Sequence, residues 1–230
     1  ADALAGVLTR RPVRAETVPD PRLSERLAAW RPGASAGAPG RVLDEAGALA
    51  LFEALGVPVV EREVLRSAPW SHRVPYPVVA KLVSADLPHK TEAGAVTLGV
   101  ADAAALDRAI DAMRASARAH TPGARIDGVL VQAMQPGLAE ALIGYRHDPL
   151  VGPIVVLGAG GRLAELMRDV SLRLAPVDEA QAREMVEDVA ALAPVRGYRG
   201  LPAGDVDSLV RALVAVGRLA NLPGQPVAEA

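Results

Sequence analysis

Val78-Val79-Ala80-Lys81-Leu82-Val83-Ser84-Ala85-Asp86-Leu87-Pro88-His89-Lys90-Thr91-Glu92-Ala93-Gly94 is the stretch on which the reading of this chain turns. Its first half is an apolar run rich in β-branched residues and too short for most helices. It predicts a buried strand over residues 78–84. One charge stands in the middle of that run. A lysine inside a buried strand is costly unless its ammonium meets an anion or reaches water. No residue near in sequence offers Lys81 a counter-charge, so an external anion such as a phosphate is one expectation. A side chain that snorkels to the surface is the other. The strand then enters a polar segment with Pro88 and a closing Gly94, which is loop chemistry. That loop carries His89 beside Lys90. A lysine delivered by a strand and a histidine delivered by the next loop suit phosphoryl transfer; an ordinary loop histidine is the plainer alternative. Residues 85–93 hold few large apolar side chains, so little burial is expected to anchor the loop.

Outward from this stretch, helices and strands are intermixed. Residues 43–55 read as a helix, with Asp44 and Glu45 in the first turn and Leu43, Leu51, Phe52 and Leu55 near one face. Strands are expected over 57–64, 94–100, 129–134, 140–145 and 154–157. Asp102 is the expected cap of a helix reaching about residue 120, with Leu106, Ile110 and Met113 turned inward. Further helices are expected over 178–192 and 205–222. Residues 67–76 read as a loop in which His72 is a solvated residue, because no second ligand stands at a metal-binding spacing. Residues 1–40 read as a connector. Prolines break it, a short amphipathic helix is expected over 22–30, and residues 31–40 have linker composition. The fold class is therefore α/β, in two lobes sharing a cleft.

Composition sets further limits. The chain has 230 residues, half of them hydrophobic but only 3% aromatic, so its core is aliphatic. A net charge of −2 argues against a general nucleic-acid binder or an acidic-membrane binder. Without cysteine there is no disulfide, thiol nucleophile or zinc–thiolate site, which suits a reducing cytoplasm. No stretch reaches transmembrane length and no signal peptide is visible. The chain begins with Ala1, which suggests a fragment or a processed chain.

Other motifs carry weaker signals. Gly158-Ala159-Gly160-Gly161 follows a strand; such glycines let backbone N–H groups approach a phosphate, or simply make a tight turn. The spacing is not that of a dinucleotide-binding fold, and no Gly-Lys-Ser/Thr phosphate loop occurs. Val129-Leu130-Val131-Gln132-Ala133-Met134-Gln135-Pro136 is a strand that stops at a proline, and a hinge is expected over 132–136. Glu165 and Asp169 share a face on either a helix or a strand, with Arg168 and Arg173 close by; a solvated charged surface is the alternative. Arg196-Gly197-Tyr198-Arg199-Gly200 is a compact basic loop whose guanidinium groups suit phosphates or, equally, helix C-termini. His120 and His147 have no comparable context.

The lysine–histidine stretch resembles the ATP-grasp domain of NDP-forming acyl-CoA synthetases, the acetate–CoA ligase (ADP-forming) family. Matches continue in order at Asp148-Pro149 with Gly152-Pro153, at the four-residue glycine stretch, at Glu165 with Asp169, at Arg173-Leu174-Ala175-Pro176 and at Arg196–Gly200. Together they cover roughly residues 41–230. The resemblance implies a two-lobed ATP-grasp fold with the nucleotide cleft between lobes. It implies the reaction carboxylic acid + CoA + ATP to acyl-CoA + ADP + phosphate, with His89 as the catalytic residue that exchanges phosphate with ATP or ADP. It assigns Lys81, Glu140, Gly158, Gly160, Gly161, Asp169 and Arg173 to the nucleotide, and Gln132, Ala133 and Met134 to the adenine pocket. Mg²⁺ is the implied metal, and CoA is expected on a domain absent from this chain. The implied partners are CoA-binding and ligase domains, in the same full-length chain or a separate subunit, in a protein that is oligomeric when complete. The connector then resembles the tail of those preceding domains.

There is one departure. The family carries its metal-binding carboxylate and asparagine in a Glu-x-Asp-x-Asn-Pro stretch. Here Glu229 fits the first glutamate and the sequence stops at Ala230. An ATP-grasp domain truncated at its metal motif is expected to bind ATP weakly and not to turn over alone. Two rivals stay open. One is a non-catalytic nucleotide- or acyl-CoA-sensing module of a fused protein acetyltransferase. The other is a carboxylate–amine ligase, against which the His89 loop argues.

Overall fold

The computed structural model describes residues 25, 43–87, 89–161, 168–200, 202–222 and 227–230. Apart from Glu25, the expected connector with its helix and linker lies outside the described residues, as does Glu165. The described chain forms two compact units. One comprises residues 43–54 and Pro58–Gly137, the other Leu55–Val57 and Leu138–Ala230. The border after Gly137 falls one residue beyond the proline at which the expected hinge ended.

The first unit contains helix α1 (Glu45–Leu55), strands β1 (Arg62–Leu65), β2 (Val78–Val83) and β3 (Val96–Val100), helix α2 (Ala103–His120) and strand β4 (Gly128–Ala133). The strands form one antiparallel sheet in the order β1-β4-β2-β3. Asp102 caps α2 by accepting from the Ala105 N–H at 2.7 Å, and Leu106, Ile110 and Met113 are buried as expected. They pack on one face of the sheet, against Val78, Ala80, Leu82, Val129 and Val131. Strand alternation sends the intervening residues to the other face. The strand expected over 57–64 is shorter and later, at Arg62–Leu65, because only those residues pair with β4.

The second unit contains strands β5 (Ala141–Asp148), β6 (Gly152–Ala159) and β7 (Val170–Leu174), then helix α3 (Glu179–Asp188), a 3₁₀ segment (Ala190–Arg196), helix α4 (Val206–Gly217) and a second 3₁₀ turn (Arg218–Asn221). The strands form an antiparallel meander. Its inner face, with Tyr145, Val155, Leu157 and Ser171, is buried, and α3 and α4 pack on the sheet. Strand β7 begins one residue after Asp169, and the helix-or-strand question about Glu165 and Asp169 falls on Glu165, outside the described residues. The helix expected over 178–192 ends at Asp188, because Val189 is extended and Pro194 lies in the 3₁₀ segment that follows. Among the described residues no helix is long and apolar enough to cross a membrane.

Candidate functional site

In the first unit the sheet face turned away from α2 carries the site. Lys81 in β2 stands opposite Val96 and Leu130, and Val79 stands opposite Gln132. Residues paired across strands share a face, so Lys81 and Gln132 lie on one face as diagonal neighbours. Arg62 of β1 pairs with Gln132 from the other side and joins them. Helix α1 supplies carboxylates to this face: Glu53 Oε2 lies 2.7 Å from Arg62 and Glu45 Oε1 lies 2.6 Å from the Lys81 Nζ. The other oxygen of Glu45 is 3.7 Å from the Nζ of Lys90. No residue near Lys81 in sequence supplies its counter-charge; Glu45 provides it from 36 residues upstream. Reading along the chain missed it because the partner arrives through tertiary packing. A helix whose first residue is acidic was the only signal.

His89 is exposed, next to the partly buried Lys90. Its loop is better anchored than its composition suggested. Leu87 and Ala93, on either side of the histidine, are in the core. The Ala93 N–H donates to the His89 carbonyl at 3.1 Å, and the Ala95 N–H donates to the Lys90 carbonyl at 2.8 Å. Asp86 accepts from the Arg125 N–H at 2.8 Å. One leucine and one alanine suffice, because each reaches the core. Of the expected adenine residues, Gln132 is buried, Ala133 packs on the core and Met134 is exposed just beyond β4.

His72 is corrected as well. Both of its ring nitrogens are shielded from solvent, and its ring meets Tyr76 edge-on at 4.8 Å. Trp70, in the same loop, packs against the core under the Arg114 guanidinium.

In the second unit a different group converges. The Gly160 N–H donates to the Glu140 carbonyl at 2.7 Å. A Cβ on Gly161 would lie 2.6 Å from Glu140 Oε2. Glu140 thus lies directly against the glycine turn. Gly158 sits opposite Leu142 and Val170, on the outer sheet face where Leu142, Val170 and Leu172 are half-exposed. This apolar face, unrecognised from sequence, lies beside the glycines and the carboxylate.

Asp169 and Arg173 do not join that group. The Asp169 carboxylate accepts the N–H groups of Ala190 at 3.2 Å and Ala191 at 2.7 Å, capping the 3₁₀ segment. Arg173 pairs with the buried Val155, so it occupies the opposite face from Gly158. Its guanidinium donates to Asp188 at 2.9 Å and Ser171 at 3.1 Å. The Ser171 hydroxyl, followed by Arg173, holds the Asp188 carboxyl below its ordinary pKa. Arg196 donates to the Val186 and Val189 carbonyls at the end of α3, the helix-terminus alternative weighed above. Arg199 lies over its neighbour Tyr198.

Glu229 is exposed and bridges Arg146 of β5, while the Tyr145 and Ala230 backbones exchange hydrogen bonds at 2.7 and 2.8 Å. Five residues of strand, roughly 17 Å, separate Ala141 from Arg146. Glu140 and Glu229 therefore stand toward opposite ends of β5. Among the described residues no three carboxylate or imidazole groups gather to hold a metal. Mg²⁺ needs only one or two carboxylates when phosphates and water complete its shell. Glu140, against the glycines, suits an ion carried by a phosphate chain; Glu229 would serve an ion toward the other end of β5.

The comparisons with known proteins agree with this architecture. The model of the ATP-grasp domain family matches residues 35–223. The beta subunit of acetate–CoA ligase [ADP-forming] I from Pyrococcus furiosus is 34% identical over 184 residues, covering 78% of this chain and 79% of that one. Acetate–CoA ligase [ADP-forming] I from Archaeoglobus fulgidus is 38% identical over 184 residues, covering 78% of this chain but only 27% of that protein. The chain therefore spans about a quarter of that longer relative. Among solved structures, the dinucleotide forming acetyl-coenzyme A synthetase 1 of Ca. Korarchaeum cryptofilum, with coenzyme A, Ca-AMPCP and HgCl+, aligns with a TM-score of 0.78 at 30% identity over 90% of each chain. A second structure of that enzyme, with coenzyme A and Mg-AMPPCP, has its phosphohistidine segment pointing towards the nucleotide binding site; it aligns with a TM-score of 0.67 at 30% identity, over 80% of this chain and 81% of that one. Fold, ordered motifs and relatives lead to one conclusion: this chain belongs to the ATP-grasp domain family, in the branch carried by ADP-forming acetate–CoA ligases.

Proposed function

We propose that this chain is the ATP-grasp part of an ADP-forming acyl-CoA synthetase and that it exchanges phosphate between ATP or ADP and His89. The observation that carries the reading is the exposed His89 on an anchored loop, with the ammonium groups of Lys81 and Lys90 gathered at one carboxylate in the same unit. An imidazole at neutral pH has an unprotonated nitrogen available for attack. In the forward direction that nitrogen bonds to the γ-phosphorus while the bond to the bridging oxygen breaks. ADP leaves with the electron pair, and the phosphoryl group stays on the ring. Lys81 and Lys90 stabilise the charge on the transferring group. The backbone N–H groups of the glycine turn suit phosphate oxygens, and Gln132, Ala133 and Met134 suit the adenine. Asp169 and Arg173 remain proposed nucleotide residues, and each would first have to leave its present partners. Mg²⁺ bound with the nucleotide supplies charge neutralisation between phosphates, with Glu140 or Glu229 as its carboxylate.

The partners proposed are CoA-binding and ligase domains, as the separate beta subunits and the longer fused relatives suggest. CoA binds there, and the acid is activated there as an acyl phosphate. The complete protein is proposed to be oligomeric, and the cytoplasm is its proposed location, in keeping with a chain that has no cysteine. The test is incubation of the complete enzyme with γ-labelled ATP and Mg²⁺, followed by peptide mapping of acid-labile, base-stable label. Label on the peptide containing His89, lost in His89→Ala together with acyl-CoA formation, supports the relay. Acyl-CoA formation near the wild-type rate in His89→Ala would make His89 a bystander.

A further inference from the structure

Glu45 occupies the two lysines that a phosphate would need. Its Oε1 is 2.6 Å from the Lys81 Nζ and its Oε2 is 3.7 Å from the Lys90 Nζ, with all three side chains about a quarter exposed or less. Two carboxylate oxygens between two ammonium groups reproduce the charge and contacts of two phosphoryl oxygens. We propose that Glu45 is an internal competitor for the phosphate. It compensates and orders Lys81 and Lys90 while no phosphate is bound, and it yields them to the incoming group. The inference rests on the reading that these lysines serve the phosphate exchanged at His89.

Three features favour a carboxylate that can be exchanged over one that is only structural. First, Lys81 lies in the middle of a strand, where an uncompensated ammonium is costly, so a counter-ion is needed whenever phosphate is absent. Second, α1 does not depend on the Glu45 side chain for its cap. Asp44 accepts the Gly47 N–H at 2.7 Å, so the cap is made without Glu45. Third, α1 is tied to the sheet face independently by the Arg62–Glu53 pair at 2.7 Å. Glu45 can therefore release the lysines without α1 losing its start or its anchorage. At every stage of such an exchange each lysine keeps an anion.

The consequence is an opposition between stability and affinity. Glu45→Gln keeps shape and removes the charge. The protein without nucleotide should melt lower by about 2–4 °C, the shift expected from one weakened ion pair in a domain of this size. Mg·AMPPCP should bind about fivefold or more tightly, since one unit charge at about 4 Å has that effect even in bulk water. An ion pair with a purely structural role would lower the melting temperature and leave affinity unchanged. The experiment is calorimetric titration with Mg·AMPPCP and thermal melting with and without it. It uses wild type, Glu45→Gln and Lys81→Gln of the complete protein. Lower stability with tighter binding in Glu45→Gln supports the inference. Unchanged or weaker binding in Glu45→Gln, with binding lost in Lys81→Gln, overturns it and leaves the functional reading standing. Wild-type binding in Lys81→Gln overturns the assignment of Lys81 to phosphate, and the competitor role with it.

Discussion

Glu140 and Gly160 are in backbone contact: a Cβ on Gly160 would lie 2.9 Å from the Glu140 carbonyl carbon and 3.0 Å from its oxygen. The neighbour is main chain, held by the Gly160 N–H at 2.7 Å, so it cannot rotate aside as a flexible side chain would. Gly160→Ala is expected to destabilise the second unit by about 1–3 kcal/mol, the range for overpacking, and to displace Glu140 from the glycine turn. Urea denaturation checks the first effect. A titration with Mg·AMPPCP in the folded range checks the second, where weaker binding is expected.

The start of α3 carries a reciprocal cap. Asp178 accepts from the Gln181 N–H at 2.8 Å, and the Gln181 side chain accepts from the Asp178 N–H at 3.1 Å. Asp178→Ala should cost about 1 kcal/mol, with Asp178→Asn recovering most of it. Equilibrium unfolding of the two variants measures the difference. Asp178→Ala as stable as wild type would mean that the cap contributes nothing.

The acid limb of stability should depend on Asp188. The Ser171 hydroxyl and then Arg173 depress its folded pKa below the ordinary 3.8. A depressed carboxylate stabilises the fold above its unfolded pKa, and the contribution is lost as pH falls through the lower folded value. The sensitive window is therefore below about pH 4. Asp188 is about half exposed, so solvent screening holds the effect to about 1 kcal/mol or less. Melting temperatures from pH 6 down to about pH 2.5 should fall more steeply in wild type than in Asp188→Asn. Parallel curves would rule the contribution out.

Arg196 ties the end of α3 to the following 3₁₀ segment through the carbonyls of Val186 and Val189, the latter at 3.0 Å, with Glu187 beside it at 3.2 Å. A lysine cannot reproduce the guanidinium fork. Arg196→Ala should lose about 1.5–3 kcal/mol, the scale of hydrogen bonds to a charged group, and Arg196→Lys should recover only part of it. Chemical denaturation of the pair is the check. Full recovery by lysine would mean that charge alone matters.

What the sequence determined by itself is local. Short apolar runs located β2, β4 and β6, alternation located β3 and helical periodicity located α2, while short-range chemistry marked the Asp102 cap and the glycine turn. The order of motifs from Lys81 to Arg196 was enough to indicate the family, because each motif depends on neighbours only a few residues away. In strand β7 Val170, Leu172 and Leu174 alternate with Ser171 and Arg173, and only pairing with β6 shows that the two polar groups, not the apolar ones, face the helices. The partner of Lys81 stayed hidden because burial and ion pairing are set by residues far apart along the chain. Glu45 reaches Lys81 only once α1 is placed against the sheet. The same reason separates Arg173 from Gly158: a strand places residues an odd number apart on opposite faces, and only the register tells which residues are compared. Tertiary structure also decided how firmly His89 is held, since Leu87 and Ala93 anchor its loop only because the core lies beneath them.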